Sequence, residues 1–165
     1  MRERGPQVRL KKAVVSLAIA ATLVGPIAMG AEQETPAEGG EQAENVLAVF
    51  VGVAREGRRN NGLALGVEYE RRLGERFGIG ALAEHTFGDI DTWVYAIPFA
   101  YHTQHWKFYL APGTEHSERG NESLLRIGAE RAFEIGSWEI APQLDVDFVN
   151  SEQVYVFGVT LSKRF

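Results

Sequence analysis

From Val46 to the last residue, apolar side chains recur at every second position, in runs separated by short polar segments. A period of two is that of a β-strand with two unlike faces, and no run shows the 3.6-residue period of a helix. The breaks are rich in Gly, Asn, Asp, Ser and charged residues, as turns are. The pattern predicts eight strands: Val46–Arg55, Gly62–Arg71, Phe77–Phe87, Thr92–His102, Trp106–Glu115, Ser123–Glu134, Trp138–Val149 and Val154–Phe165.

Closure of these strands into a barrel is the arrangement that removes both open sheet edges. We therefore predict an all-β fold, a closed eight-stranded antiparallel up-and-down barrel. The interior of such a barrel is only wide enough for side chains to fill it. The bulky apolar face of the strands cannot fit inside, whereas the other face, with its Gly, Ala and a few charged residues, can. An outward apolar face is tolerated only in lipid, so the barrel is expected to span a membrane.

The aromatic residues support this assignment independently. If the N-terminus lies on the periplasmic side, they sort into two rims with Leu, Ile, Val and Ala mainly between them, as two membrane interfaces select. One rim holds Tyr69, Phe77, Tyr101, Trp106, Phe133, Trp138 and Phe165, and the other holds Phe87, Trp93, Phe148 and Tyr155.

The N-terminal segment has the organisation of a secretory signal peptide. Residues 1–30 combine a basic start, an apolar core of about a dozen residues and small residues at Ala28 and Gly30. A single spanning helix would need ~20 apolar residues, so cleavage is favoured over anchoring. Residues 31–45 lack a bulky apolar run and are predicted to be a disordered periplasmic spacer before the barrel domain, 46–165. Removal of 1–30, with five bases and one acid, takes the net charge from −5 to −9, which argues against a nucleic-acid partner.

With its signal peptide, eight alternating strands and a last strand that ends on the outward aromatic Phe165, the chain resembles the small eight-stranded outer-membrane β-barrel proteins of Gram-negative bacteria, of the OmpA/OmpX-like kind. The resemblance implies a location in the cell outer membrane, surroundings of lipid and lipopolysaccharide, and a monomeric state. It also implies that Phe165 is part of the signal read by the barrel-assembly machinery. Lys163 departs from the family pattern, where an apolar residue is commoner, but its side chain can reach the rim.

The charged residues of the inward face are the candidate functional set, and we expect them to form an ion-pair network. Arg126 is predicted to neutralise Glu130 on its own strand and Glu68, Glu84 or Glu139 on others. A network that plugs the lumen is favoured over a narrow cation-preferring pore for small solutes, because an eight-stranded bore is tight. The predicted network is Glu68, Glu84, Lys107, Arg126, Glu130, Glu139 and Arg164.

No other set of residues predicts a catalytic, cofactor or metal site. Glu115, Asp145 and Asp147 are expected at a hydrated acidic outer mouth, since they lack the dense ligand loop of a calcium site. The absence of cysteine excludes thiolate metal sites and cysteine nucleophiles. His116 and Ser117 invite comparison with lipid A deacylases, but those enzymes have one residue between His and Ser, and adjacent strand residues point to opposite faces. We therefore predict a structural or binding barrel of the envelope rather than an enzyme, with a pore and a lipid A-modifying enzyme as alternatives.

Two further expectations concern the backbone. Pro98, Pro112 and Pro142 fall inside strands, where each removes a ladder donor, so local bulges are expected there. All four outward loops are predicted to be short, which leaves little surface for gripping a partner protein: Glu56–Asn61, Gly88–Asp91, His116–Glu122 and Asn150–Gln153.

Overall fold

A computed structural model describes residues 45–58, 60–118 and 120–165 of the chain. The predicted signal peptide and all of the predicted spacer except Asn45 lie outside the described residues. The elements within them are β1 Asn45–Glu56, β2 Asn60–Arg72, β3 Phe77–Gly88, β4 Thr92–Ala96, β5 Phe99–His102, β6 Trp106–Ser117, β7 Gly120–Arg131, β8 Phe133–Ile135, β9 Trp138–Val149 and β10 Glu152–Arg164. Because β4 and β5 are two parts of one barrel strand, and so are β7 and β8, these elements make eight barrel strands.

The sheet closes on itself. Each barrel strand is antiparallel to its neighbours in chain order, and β10 pairs with β1 along its length. At the seam, the Asn45 amide donates to the Phe165 carbonyl at 3.1 Å, and the Phe165 amide donates back to the Asn45 carbonyl at 2.9 Å. The predicted closed eight-stranded barrel is confirmed. Among the described residues, no helix is long and apolar enough to span a membrane.

The expected bulges at Pro98, Pro112 and Pro142 are wrong. The register of β3 is the same against β4 and β5, and alternation of buried and exposed residues continues through Pro98. Neighbouring amides still bridge the strands: the Gly80 amide donates to the Pro98 carbonyl and the Ile97 amide to the Pro112 carbonyl, both at 2.9 Å. A proline removes one donor but keeps its acceptor, so the ladder is interrupted without an extra residue being inserted.

The two faces of the strands are arranged as the sequence predicts. Outward side chains such as Leu65 and Val159 are 41% and 46% exposed, although they are aliphatic. All the aromatic residues assigned to the two rims are exposed as well. A continuous apolar band of this kind is far larger than the patches a water-soluble monomer tolerates, whereas lipid accommodates it.

The lumen is filled more bulkily than the expected Gly, Ala and ions. Phe50 lies inside, and a Cβ on Gly52 or Gly158 would overlap its ring. Tyr109 occupies the space beside Gly128 in the same way. Two apolar clusters result: one of Phe50, Ala54, Ala64, Val154 and Val156, and one of Leu82, Val94, Ala96, Ala100, Tyr109, Ala111, Leu124 and Val149.

Candidate functional site

Arg126 is the central charged residue of the lumen. β7 directs it inward, and its side chain is fully buried. Its Nε and Nη2 donate to the two carboxylate oxygens of Asp147 at 2.6 and 2.8 Å. Its Nη1 and Nη2 donate to the two oxygens of Glu84 at 3.0 and 2.8 Å. One guanidinium therefore grips two carboxylates bidentately and ties β3, β7 and β9 together through the bore.

Neutral side chains of β6, β9 and β10 form hydrogen bonds around a third carboxylate, Asp145, and so extend this cluster. Asp145 lies with one carboxylate oxygen 3.8 Å from Arg126 Nη1 and accepts a hydrogen bond from the Tyr109 hydroxyl. The Gln143 amide donates to the same carboxylate at 2.6 Å and to the Tyr109 hydroxyl oxygen at 2.8 Å. The Thr160 hydroxyl donates to the Gln143 carbonyl. A buried polar network stabilises a structure only when its members have hydrogen-bond partners, and the side chains of this network do.

Lys107 forms a second cluster, nearer the end of the barrel that carries the chain termini. Its Nζ lies 2.6 Å from Glu68, 3.1 Å from Glu130 and 3.3 Å from Glu70. Glu70 also lies 2.6 Å from His102 Nε2. Three nearly buried carboxylates thus share one lysine, with the imidazole of His102 as a further partner.

The structure distributes the seven predicted network residues over three places. Arg126 and Glu84 are in the first cluster, and Glu68, Lys107 and Glu130 are in the second. At the rim, Arg164 Nη2 lies 3.3 Å from Glu139, and both side chains are partly exposed. These seven residues line or fill the lumen, and Tyr109 connects the first two places, because Lys107 Nζ lies 5.2 Å from the centroid of the Tyr109 ring and the Tyr109 hydroxyl donates to Asp145.

The predicted partners of Arg126 are wrong except for Glu84. Glu130 and Glu68 contact Lys107 instead, and Glu139 contacts Arg164. The physical reason is the strand rise of about 3.3 Å per residue, which separates positions four apart by about 13 Å. Spacing of i and i+4 brings charges together on a helix, but on a strand it does not.

The predicted place of Asp145 and Asp147 at a hydrated mouth is wrong as well. Both are buried against Arg126, while Glu115 remains near the mouth. Arg126 lies directly opposite Asp147 in the β7–β9 pairing. Counting residues back from the turn at 136–137 would have revealed this pairing, because a short hairpin turn fixes the register.

The lumen opens into a cavity at each end. The inner cavity, beside the termini, has a volume of about 500 Å³, and the Lys107 cluster and Arg72 line it. The outer cavity has a volume of about 440 Å³. Neither cavity reaches Arg126, Glu84 or Asp147, which lie between them. Seven carboxylates line the outer cavity: Glu56, Asp89, Asp91, Glu115, Glu118, Glu122 and Glu152.

His116 and Ser117 are directed apart. His116 is exposed on the outward face and its ring contacts the Asn121 side chain, whereas Ser117 lines the outer cavity. Within 45–58, 60–118 and 120–165, no group of three or more His, Asp or Glu residues is placed to hold a metal ion.

Comparison with known proteins identifies the fold. No protein-family model and no curated protein matches the chain. Among solved structures, Ail of Yersinia pestis in complex with the heparin analogue sucrose octasulfate is 14% identical, with a TM-score of 0.54 over 75% of this chain and 99% of Ail. The N-terminal barrel domain of Pseudomonas aeruginosa OprF is 11% identical, with a TM-score of 0.51 over 75% of this chain and all of that domain.

A de novo designed transmembrane β-barrel is similarly close, with 13% identity and a TM-score of 0.52 over 73% of this chain and 95% of the design. The chain therefore has the fold of the eight-stranded transmembrane barrels, as its sequence predicts. The predicted location, the cell outer membrane, is that of its natural structural neighbours, such as the outer membrane protein Ail. Fold alone assigns no activity, because one fold hosts many functions.

Proposed function

We propose that the chain is an outer-membrane barrel with a closed lumen that serves as a structural or binding component of the envelope. The observation that supports a closed lumen is the grip of Arg126 on Glu84 and Asp147, since this cluster lies between the two cavities and is almost fully buried. Breaking such a buried pair typically costs about 3–5 kcal/mol, so the plug opens rarely. The proposal includes a monomer surrounded by lipid and lipopolysaccharide and inserted by the barrel-assembly machinery.

Conductance of the purified barrel in a planar lipid bilayer tests the closed lumen. We expect no steady current from the wild-type protein. Arg126→Ala should give intermittent currents, because two carboxylates then lose their shared counter-ion. Arg164→Ala is the matched control, since it also removes an arginine but one that is half exposed at the rim. Steady wild-type currents would contradict the plug.

A narrow cation-preferring pore is the second candidate. Acidic residues line both cavities, so only the middle of the bore separates two compartments that attract cations. In a potassium chloride gradient, a pore of this kind would give a reversal potential of the sign expected for potassium. Glu115→Gln should then reduce the cation preference, since this carboxylate lines the outer cavity.

We infer that the chain is not an enzyme, and specifically that it does not modify lipid A. His116 and Ser117 lie on opposite faces of β6, so the imidazole is not positioned to take the proton of the hydroxyl. Mass spectrometry of lipid A from cells that overexpress the chain tests this inference. We expect the same acyl-chain pattern as in cells that express Ser117→Ala. A shortened pattern with the wild-type chain alone would mean that the chain is an enzyme.

Recognition of sulfated sugars, as in the complex of Ail with sucrose octasulfate, is not proposed for this chain. The seven carboxylates of the outer cavity would repel a polyanion. The outer connections at 57–59, 89–91, 118–119 and 150–151 are short, so little surface is available to grip a partner protein. Calorimetric titration with sucrose octasulfate should give no heat of binding at physiological salt, and saturable binding would contradict this account.

A further inference from the structure

The outward face of the barrel carries bases but no acids. By the alternation of the described strands, every charged side chain on that face other than histidine is Arg or Lys; the exposed Glu134 and Glu152 belong to the other face and line the two cavities. Three of these bases lie at the end where the chain termini meet: Arg71 on β2, Arg131 on β7 and Lys163 on β10. Arg55 is the outward strand base at the opposite end.

Two of the three bases rest on rim aromatics. The Arg131 guanidinium lies 5.7 Å from the centroid of the Trp106 ring and 5.2 Å from that of Phe133. Lys163 Nζ lies 5.5 Å from the centroid of the Trp138 ring. Tryptophan rings prefer the depth of lipid headgroups, so these contacts hold the positive charges at that depth.

We propose that Arg71, Arg131 and Lys163, with Trp106 and Trp138, form a belt that binds the phosphate groups of several anionic phospholipids in the leaflet that surrounds the terminal end of the barrel. Charge complementarity carries the proposal, because a face without acids presents three bases at the depth of the phosphates. Each Lys or Arg near the phosphate groups should raise the ratio of anionic to zwitterionic lipid beside it by about fivefold. The proposal rests on the membrane insertion proposed above.

Tryptophan fluorescence in vesicles tests the proposal, since the chain has three tryptophans, of which Trp106 and Trp138 lie at the end with the termini and Trp93 lies at the other end. The full barrel is reconstituted in phosphatidylcholine vesicles that contain a small fraction of spin-labelled phosphatidylglycerol or spin-labelled phosphatidylcholine. Trp93 and Trp106 are changed to Phe, which keeps an aromatic ring beside Arg131 and leaves Trp138 as the single tryptophan, and we then expect stronger quenching by the anionic lipid. Lys163→Gln should reduce this preference by about fivefold. Arg55→Gln, the matched change at the other end, should leave it unaltered.

The outcomes separate the headgroup site from insertion itself. Equal quenching of Trp138 by both labelled lipids would overturn the site but leave insertion standing. No quenching by either lipid would overturn both. If quenching of Trp138 by the anionic lipid stays stronger in millimolar inorganic phosphate, the bases bind lipid headgroups. If inorganic phosphate abolishes the difference, the proposed lipid site is overturned. A preference retained when Arg71, Arg131 and Lys163 are all changed to Gln would overturn it too.

Discussion

At the residue scale, the ion pairs of Arg126 with Glu84 and Asp147 fill the middle of the lumen. The Arg126 guanidinium satisfies two carboxylates directly and lies near a third, Asp145. A lone buried charge is costly, and three carboxylates without a counter-ion would be costlier still. The side chain therefore matters more for the integrity of the bore than any single acid around it.

Replacement of Arg126 by Ala should destabilise the barrel by about 3–5 kcal/mol. Loss of heat-modifiability on a gel should occur at a lower temperature than in the wild type, and the shift should be larger at pH 8 than at pH 5. Protonation of a carboxylate at low pH removes an uncompensated charge, so the penalty shrinks there. Leu65→Ala is the control, because lipid can fill the gap that this outward residue leaves. Equal shifts for both variants would mean that Arg126 is solvated.

Phe50 should be far more sensitive to truncation than the outward aromatic residues of the barrel. It is 4% exposed and packs where Gly52 and Gly158 leave room for its ring. Phe50→Ala should lower the free energy of unfolding by about 3–5 kcal/mol, as expected for a buried Phe. Phe157→Ala, on β10 but 47% exposed to lipid, should cost clearly less. Urea unfolding in vesicles measures the free energy of unfolding of both variants. Similar decreases for the two variants would mean that Phe50 is not packed inside the barrel.

At the element scale, the sequence pattern predicts the strands directly, whereas their pairing follows only when the exact residues of each turn are known. The predicted strand Trp138–Val149 coincides with β9, because alternation of two unlike faces marks a strand directly. Asp147 shows the opposite case: its face was predicted correctly, but its partner depends on the register between two strands. Phe50 was missed for a related reason, since its inward position makes sense only beside Gly66 and Gly158 of the neighbouring strands.

Phe165, which follows the last strand β10, allows its effect on barrel assembly in cells to be measured separately from its effect on barrel stability. The Phe165 backbone closes the seam with Asn45, while its side chain is 70% exposed. Phe165→Ser should therefore leave refolding in detergent unchanged but reduce the amount of barrel in the outer membrane of cells. Phe133→Ser, an exposed aromatic at the same rim but not on the last strand, is the control. Equal cellular yields for both variants would remove Phe165 from the assembly signal.

At the scale of the whole molecule, charge distinguishes the two ends of the barrel. Carboxylates line the outer cavity, whereas three outward bases surround the end with the termini. Carboxylates also line the cavity beside the termini, so the two ends differ in their outward bases, and the side of the membrane that each end faces depends on where the termini lie. Measuring which side of the membrane holds the termini therefore decides which of the two cavities faces the outside of the cell.

Protease access in cells should reveal this orientation. Residues 31–45 are predicted to be a periplasmic spacer, and the outer connections of the barrel are short. Proteinase K added to intact cells should therefore leave the mature chain uncut. After the outer membrane is permeabilised, the enzyme should remove the spacer and leave a fragment that begins near Asn45, since the closed ladder protects the strands. Loss of the spacer in intact cells would invert the barrel and place the acidic cavity in the periplasm.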